Sequence, residues 1–190
     1  MLFVQVTILK QEQVILVNQK DEQIGLSEKL EAHKSGLLHR AVSVFVFNND
    51  GELLLQKRAS GKYHGAGLWT NTCCTHPRNG EGIESCAKRR LREEMGIETT
   101  VEKQFSFIYK AEVENGLVEN EYDHVFFAIY NGEIKPDKTE VEDFTFVTLD
   151  KVFKDAEQQP EKYSIWFRLI IKKFREHLTG MEHRLKSVGV

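Results

Sequence analysis

The chain is 190 residues long and carries a formal net charge of −3, a length that predicts one domain with a full hydrophobic core. The small negative charge excludes nucleic-acid binding through bulk positive charge, and no apolar run reaches the ~18 residues that a membrane span needs. Met1–Leu9 is apolar but is followed by Lys10 and Gln11, without a basic start or a small-residue cleavage site, so it does not read as a signal peptide. Cys73, Cys74 and Cys86 are an odd set without the spacing of a disulfide framework, which predicts reduced thiols and a cytoplasmic protein. If extended, adjacent Cys73 and Cys74 point to opposite faces and do not serve one site together.

In chain order, residues 3–9 and 13–18 are β-prone runs, and Ser27 is expected to cap a short helix over Glu28 to Lys34. Ala41 to Phe47 is the clearest strand. The Asn49-Asp50-Gly51 turn then leads to Leu53-Leu54-Leu55, a hairpin pattern. From Gly80 to Ile97 the period changes: Ile83, Ala87, Leu91 and Met95 form a helical stripe, with Gly96 as its stop. Strands are expected at 104–113, 118–130 and 143–149. A helix from about Ser164 to His177 would bury Trp166, Leu169, Ile170 and Phe174, and the polar last dozen residues are expected to fray. Strands interleaved with a few helices predict an α/β (α+β) sandwich.

Two constellations stand out. On the 83–96 helix, Arg90 and Glu94 share a face at i, i+4. Such a charge run is ordinarily a solvated surface, but this pair also suits a metal-bound phosphate, with Glu94 on the hard cation and Arg90 on phosphate oxygens. The second constellation lies in Trp69-Thr70-Asn71-Thr72-Cys73-Cys74-Thr75-His76-Pro77 and Glu119-Asn120-Glu121, where i, i+2 spacing puts Cys74 with His76 and Glu119 with Glu121. With His33 and His39 at the entry to the first core strand, His33, His39, His76, Glu119 and Glu121 make a three-nitrogen, two-carboxylate set for zinc or manganese. His64, His124, His177 and His183 read as ordinary structural or surface histidines.

Glu81, Arg89, Leu91, Glu93, Glu94, Gly96 and Ile97 fill most slots of the Nudix box, Gly-x5-Glu-x7-Arg-Glu-U-x-Glu-Glu-x-Gly-U with U apolar. Thr75 replaces its opening glycine and Arg90 one of its carboxylates. The latter change removes a metal-gathering group. Together with His33-Lys34-Ser35-Gly36-Leu37-Leu38-His39-Arg40-Ala41, the Cys74 segment, Glu119-Asn120-Glu121, Tyr109 and Tyr163-Ser164-Ile165-Trp166, the chain resembles the type I isopentenyl diphosphate isomerases, the flavin-independent branch of the Nudix superfamily. The similarity runs over residues 12–178, leaving 1–11 as an N-terminal extension and 179–190 as a C-terminal tail.

The resemblance implies a Nudix-type α/β/α sandwich with a mixed sheet. It also implies interconversion of isopentenyl and dimethylallyl diphosphate, with no flavin, nucleic acid or membrane partner. It implies that Cys74 and Glu121 exchange the protons, with Tyr109 assisting Glu121. Trp166 would face the carbocation, a cation–π contact worth ~2 kcal/mol when desolvated. Lys29, Arg58, Lys62 and Arg90 would hold the diphosphate, and Glu94 with the backbone carbonyl of Cys74 its magnesium. The alternative is a Nudix hydrolase of a nucleoside diphosphate derivative.

Overall fold

The computed structural model describes residues 12–62 and 64–188; the strand expected at 3–9 lies outside them. The elements are β1 (Gln13–Val17), β2 (Gln23–Glu28), α1 (Lys29–Ser35), β3 (His39–Phe47), β4 (Leu53–Arg58), β5 (Trp69–Thr70), β6 (Cys73–Thr75), α2 (Ile83–Met95), β7 (Val101–Glu112), β8 (Val118–Ile129), β9 (Val141–Val147), α3 (Leu149–Gln158), α4 (Ile165–Lys173) and α5 (Arg175–Val188).

The architecture follows from β3. Its alternation sends Val42, Val44 and Val46 to one face and Phe45 and Phe47 to the other. A strand apolar on both faces needs cover on both. Cys86, Ala87, Leu91 and Met95 of α2 cover the first face. Leu149 and Val152 of α3, Phe167 and Ile170 of α4 and Leu178 of α5 cover the second. The expected α/β/α sandwich results. Among the described residues its sheet has nine strands, β3 pairing in parallel with β8 and antiparallel with β1, β4 and β6.

The 83–96 helix ends where its sequence indicates. Gly96 adopts φ +66 and returns its N–H to the Arg92 carbonyl, and a Cβ there would lie 2.8 Å from the Lys135 carbonyl oxygen. Only glycine fits both demands.

Three boundaries differ from expectation. Ser27 caps no helix: it pairs with Val14 inside β2, because a ladder that satisfies a whole strand's backbone outweighs one local capping bond. The strand expected at 143–149 ends at Val147. Leu149, Val152, Phe153 and Ala156, buried at helical spacing, instead form an unexpected helix, α3. The C-terminal helix breaks at Phe174, which has φ −119 and ψ 31. Rather than fraying, the chain continues as α5, because Leu178 and Met181 dock into the core.

Candidate active site

Sheet register assembles the site. The parallel β3–β8 pairing sets His39 beside Glu121, and the antiparallel β7–β8 pairing sets Tyr109 beside Glu121, a row across three strands. On the other edge of β3, β6 sets Cys74 beside Ser43. Glu119, Glu121 and Asp123 alternate onto one buried face of β8. The two adjacent thiols diverge as their extended backbone requires: Cys73 is sealed under α2, whereas Cys74 borders the opposite core and lines the cavity.

His33, His39, His76 and Glu121 converge, their ligand atoms lying within 4.8 Å of one another. His33 Nδ1 lies 2.6 Å from the Lys29 carbonyl and His39 Nδ1 2.8 Å from that of Leu37. Carbonyl acceptors place the proton on Nδ1 and turn each Nε2 lone pair inward, as metal-ligating histidines require. Burial pushes His76 down to about 4, which keeps its imidazole neutral. Burial also opposes ionisation of Glu121, but the neighbouring His39 and His76, the latter with Nε2 2.9 Å from Oε1, outweigh it and hold the carboxyl well below its usual range. A neutral His76 and an ionised Glu121, with His33 and His39 alongside, form a donor set fit for a divalent metal. Glu119 adjoins the group, with Oε2 3.3 Å from His33 Nε2.

The cavity has a volume of about 260 Å³ and a lining of both charges. Lys29, Arg58, Lys62 and Arg90 all line it. Arg90 Nε donates to Glu94 Oε1 at 3.0 Å, and Gln56 Nε2 donates to Glu94 Oε2 at 3.0 Å. Lys62 pairs with Glu140, which also accepts from Arg90 at 3.3 Å. Lys29 pairs with Glu12 at 2.9 Å. The other box carboxylates serve the helix surface: Glu81 is held by Arg89 at 2.6 and 2.8 Å, and Glu93 pairs with Arg89 and Arg90.

Opposite the carboxylate row, Cys74 Sγ donates to Asn71 Oδ1 at 3.0 Å and lies 3.6 Å from Ser43 Oγ. Ser43 in turn donates to Asp123 Oδ2 at 2.7 Å. Burial, followed by the Asp123 carboxyl, pushes the Cys74 thiol far above its ordinary range, so it carries its proton. Tyr109 is likewise pushed well up by burial and by Glu121, and its hydroxyl donates to Glu121 Oε2 at 2.6 Å. Trp166 lines the cavity with the Arg58 guanidinium over its ring, 5.1 Å from the centroid.

Every residue singled out for the site in the sequence thus borders one cavity or its metal-type cluster. Sequence reasoning missed Gln56, Glu140 and Ser43, which lie in strands or connections without a chemical motif, and gave no role to Asn71 within the Cys74 segment. It also misread His64, whose Nε2 lies 2.7 Å from Glu119 Oε1. A carboxylate two strands away leaves no local signal. His124 is a structural histidine, with Ser106 Oγ and Asp21 Oδ2 each 2.9 Å from its ring nitrogens. His177 packs on Phe105.

A Nudix-type sandwich whose box helix faces a charged, thiol-containing cavity defines the class. Residues 37–167 match the NUDIX domain family. The fold is shared with the MutT protein from Methanosarcina mazei (TM-score 0.62, 19% identity, 74% of this chain and 94% of that one). It is also shared with the Nudix hydrolase RenU from M. smegmatis (TM-score 0.54, 15% identity, 89% of this chain and 95% of that one). Closer in sequence are isopentenyl-diphosphate Delta-isomerase 1 of Aromatoleum aromaticum, 48% identical over 86% of this chain and 92% of that protein, and isopentenyl-diphosphate Delta-isomerase 2 of Photorhabdus laumondii, 49% identical over 84% and 90%. The chain belongs to the isopentenyl-diphosphate Delta-isomerase family of the Nudix superfamily.

Proposed function

We infer that the protein is an isomerase that interconverts isopentenyl and dimethylallyl diphosphate by moving one carbon–carbon double bond. The observation that carries this reading is a single cavity flanked by proton-carrying groups from both edges of β3: Cys74 on β6, and Glu121 with Tyr109 on β8 and β7. An alkene is a very weak base, and protonating its terminal carbon makes a tertiary carbocation. A second group must then take a proton from the carbon on the far side. Glu121, with the Tyr109 hydroxyl at its Oε2, exchanges the proton at one end and Cys74 at the other. Because the reaction is reversible, each serves as acid in one direction and base in the other. Burial excludes water that would quench the cation, and the Trp166 ring borders the same cavity. Proton addition and removal at carbon leave no net electron change, so the chemistry needs no flavin.

His33, His39, His76, Glu119 and Glu121 would hold a manganese or zinc ion, which when bound supplies fixed positive charge beside Glu121. Lys29, Arg58, Lys62 and Arg90 bind the diphosphate. Glu94 and the Cys74 carbonyl would hold the magnesium that accompanies it. A cytoplasmic setting suits the three free thiols, and among the described residues no helix is long and apolar enough to cross a membrane. The hydrolase reading is weaker, because Glu94 alone among the box carboxylates reaches the cavity while Glu81 and Glu93 are committed to arginines.

Incubating the protein with isopentenyl diphosphate and magnesium in deuterated water tests the reading. Dimethylallyl diphosphate carrying deuterium is expected. Phosphate release without an allylic product would support the hydrolase instead, and absence of both would sink the isomerase reading.

A smaller effect is expected from Lys62→Ala. Losing one charge-assisted contact should raise KM by about tenfold, ~1.4 kcal/mol, with kcat within about twofold. An unchanged KM in steady-state kinetics would remove Lys62 from the diphosphate site.

A further inference from the structure

His64 enters the site from the connection between β4 and β5, and three contacts meet on it. Its Nε2 lies 2.7 Å from Glu119 Oε1. Its ring packs against Trp166 with centroids 5.8 Å apart, and its carbonyl oxygen accepts Arg58 Nη2 at 2.9 Å. Arg58 Nε adds a 3.1 Å bond to the Gly65 carbonyl. Gly65 has φ +57, and a Cβ there would lie 3.2 Å from Arg58 Nε and 3.3 Å from Trp166 Cη2. Glycine lets the connection settle this close to both.

We propose that His64 is a positioning residue that fixes Glu119 for metal binding and ties that carboxylate to the diphosphate-binding Arg58. The inference rests on the roles proposed above for Glu119 and Arg58. A glutamate side chain has rotatable torsions that burial alone leaves undetermined, and a donor on one oxygen aims the other. His64 holds Oε1, while Oε2 faces His33 Nε2 at 3.3 Å. The His64 Nε2 is committed to Glu119 Oε1 at 2.7 Å, so it acts through Glu119. Partners of this kind typically govern metal affinity by 10–100-fold. Arg58 grips the backbone of His64 and Gly65, so loosening Arg58 loosens the imidazole as well. Two binding events that depend on one residue are thereby coupled.

Manganese affinity of the full chain, measured without substrate by competition with a chromogenic chelator, tests this. His64→Phe keeps the aromatic packing against Trp166 but removes the nitrogen. It is expected to weaken manganese binding by about 10–100-fold, whereas His64→Gln, which retains an N–H donor, should stay within about threefold. Arg58→Ala should weaken binding more modestly, and that effect should vanish in the His64→Phe background. His64→Ala, in the same assay, replaces the phenylalanine variant if the latter does not fold. Parental affinity in the folded Phe or Ala variant would overturn the positioning role. Additive effects of the Arg58 and His64 substitutions would overturn the tie between them. A parent chain that takes up no manganese would overturn this inference together with the proposed metal site. Failure in the deuterium experiment, with metal binding intact, would remove only the isomerase reading.

Discussion

Cys74→Ala should lower kcat by about 10³-fold or more while the fold and the metal content persist. In the proposed reaction Cys74 carries the proton on the β6 side of the cavity. Its S–H is aimed by Asn71 Oδ1 at 3.0 Å, and Asn71 is itself anchored through Nδ2 to the Val44 and Cys73 carbonyls at 3.2 and 2.8 Å. Alanine leaves those anchors in place and removes only the proton carrier. The matching control is Cys73→Ala. Cys73 is fully buried on the α2 face, so that variant should lose about 1 kcal/mol of stability and keep most of its turnover. Steady-state kinetics and thermal denaturation of both variants check the pair. Equal loss of activity in the Cys73 variant would mean that the wrong thiol has been assigned.

The second large effect is expected from Glu121→Gln. Glutamine preserves the volume and still accepts from Tyr109, but it cannot carry the proton and presents an amide where His39 and His76 meet an ionised oxygen. Loss of the carboxylate would remove a candidate ligand from the His33–His39–His76 group and one of the two proposed proton-exchange groups together. Turnover should fall by about 10³-fold or more, and tightly bound divalent metal, measured by elemental analysis, should drop to a small fraction of the parent's. A variant that retains both metal and activity would remove Glu121 from the mechanism. Retained metal with lost activity would separate its proton-transfer role from its ligand role.

Much of this site is legible in the amino-acid sequence because its spacings are local. The i, i+2 periodicity of a strand fixes Glu119 and Glu121 on one face and separates Cys73 from Cys74, and the four-residue stripe of α2 leaves Arg90 and Glu94 together on the other side. Replacement of a box carboxylate by Arg90 points from cleaving a diphosphate toward holding one. The structure adds why: Arg90 and Gln56 hold the Glu94 carboxylate at the cavity wall, whereas Glu81 and Glu93 stay with arginines on the helix surface.

The small net charge that excluded a nucleic-acid binder hides, in the folded chain, a pocket of mixed sign. His76, Glu119 and Glu121 line it together with Lys29, Arg58, Lys62 and Arg90, and Glu12 and Glu140 balance part of the positive charge. Sequence alone determined which residue types were available and which shared a face, because backbone geometry repeats every two or 3.6 residues. Tertiary structure alone decided that β8 lies parallel to β3 with Glu121 beside His39, that α5 docks rather than frays, and that His64 reaches Glu119. Those outcomes depend on strand register and on burial between segments distant in the chain, which no local period encodes.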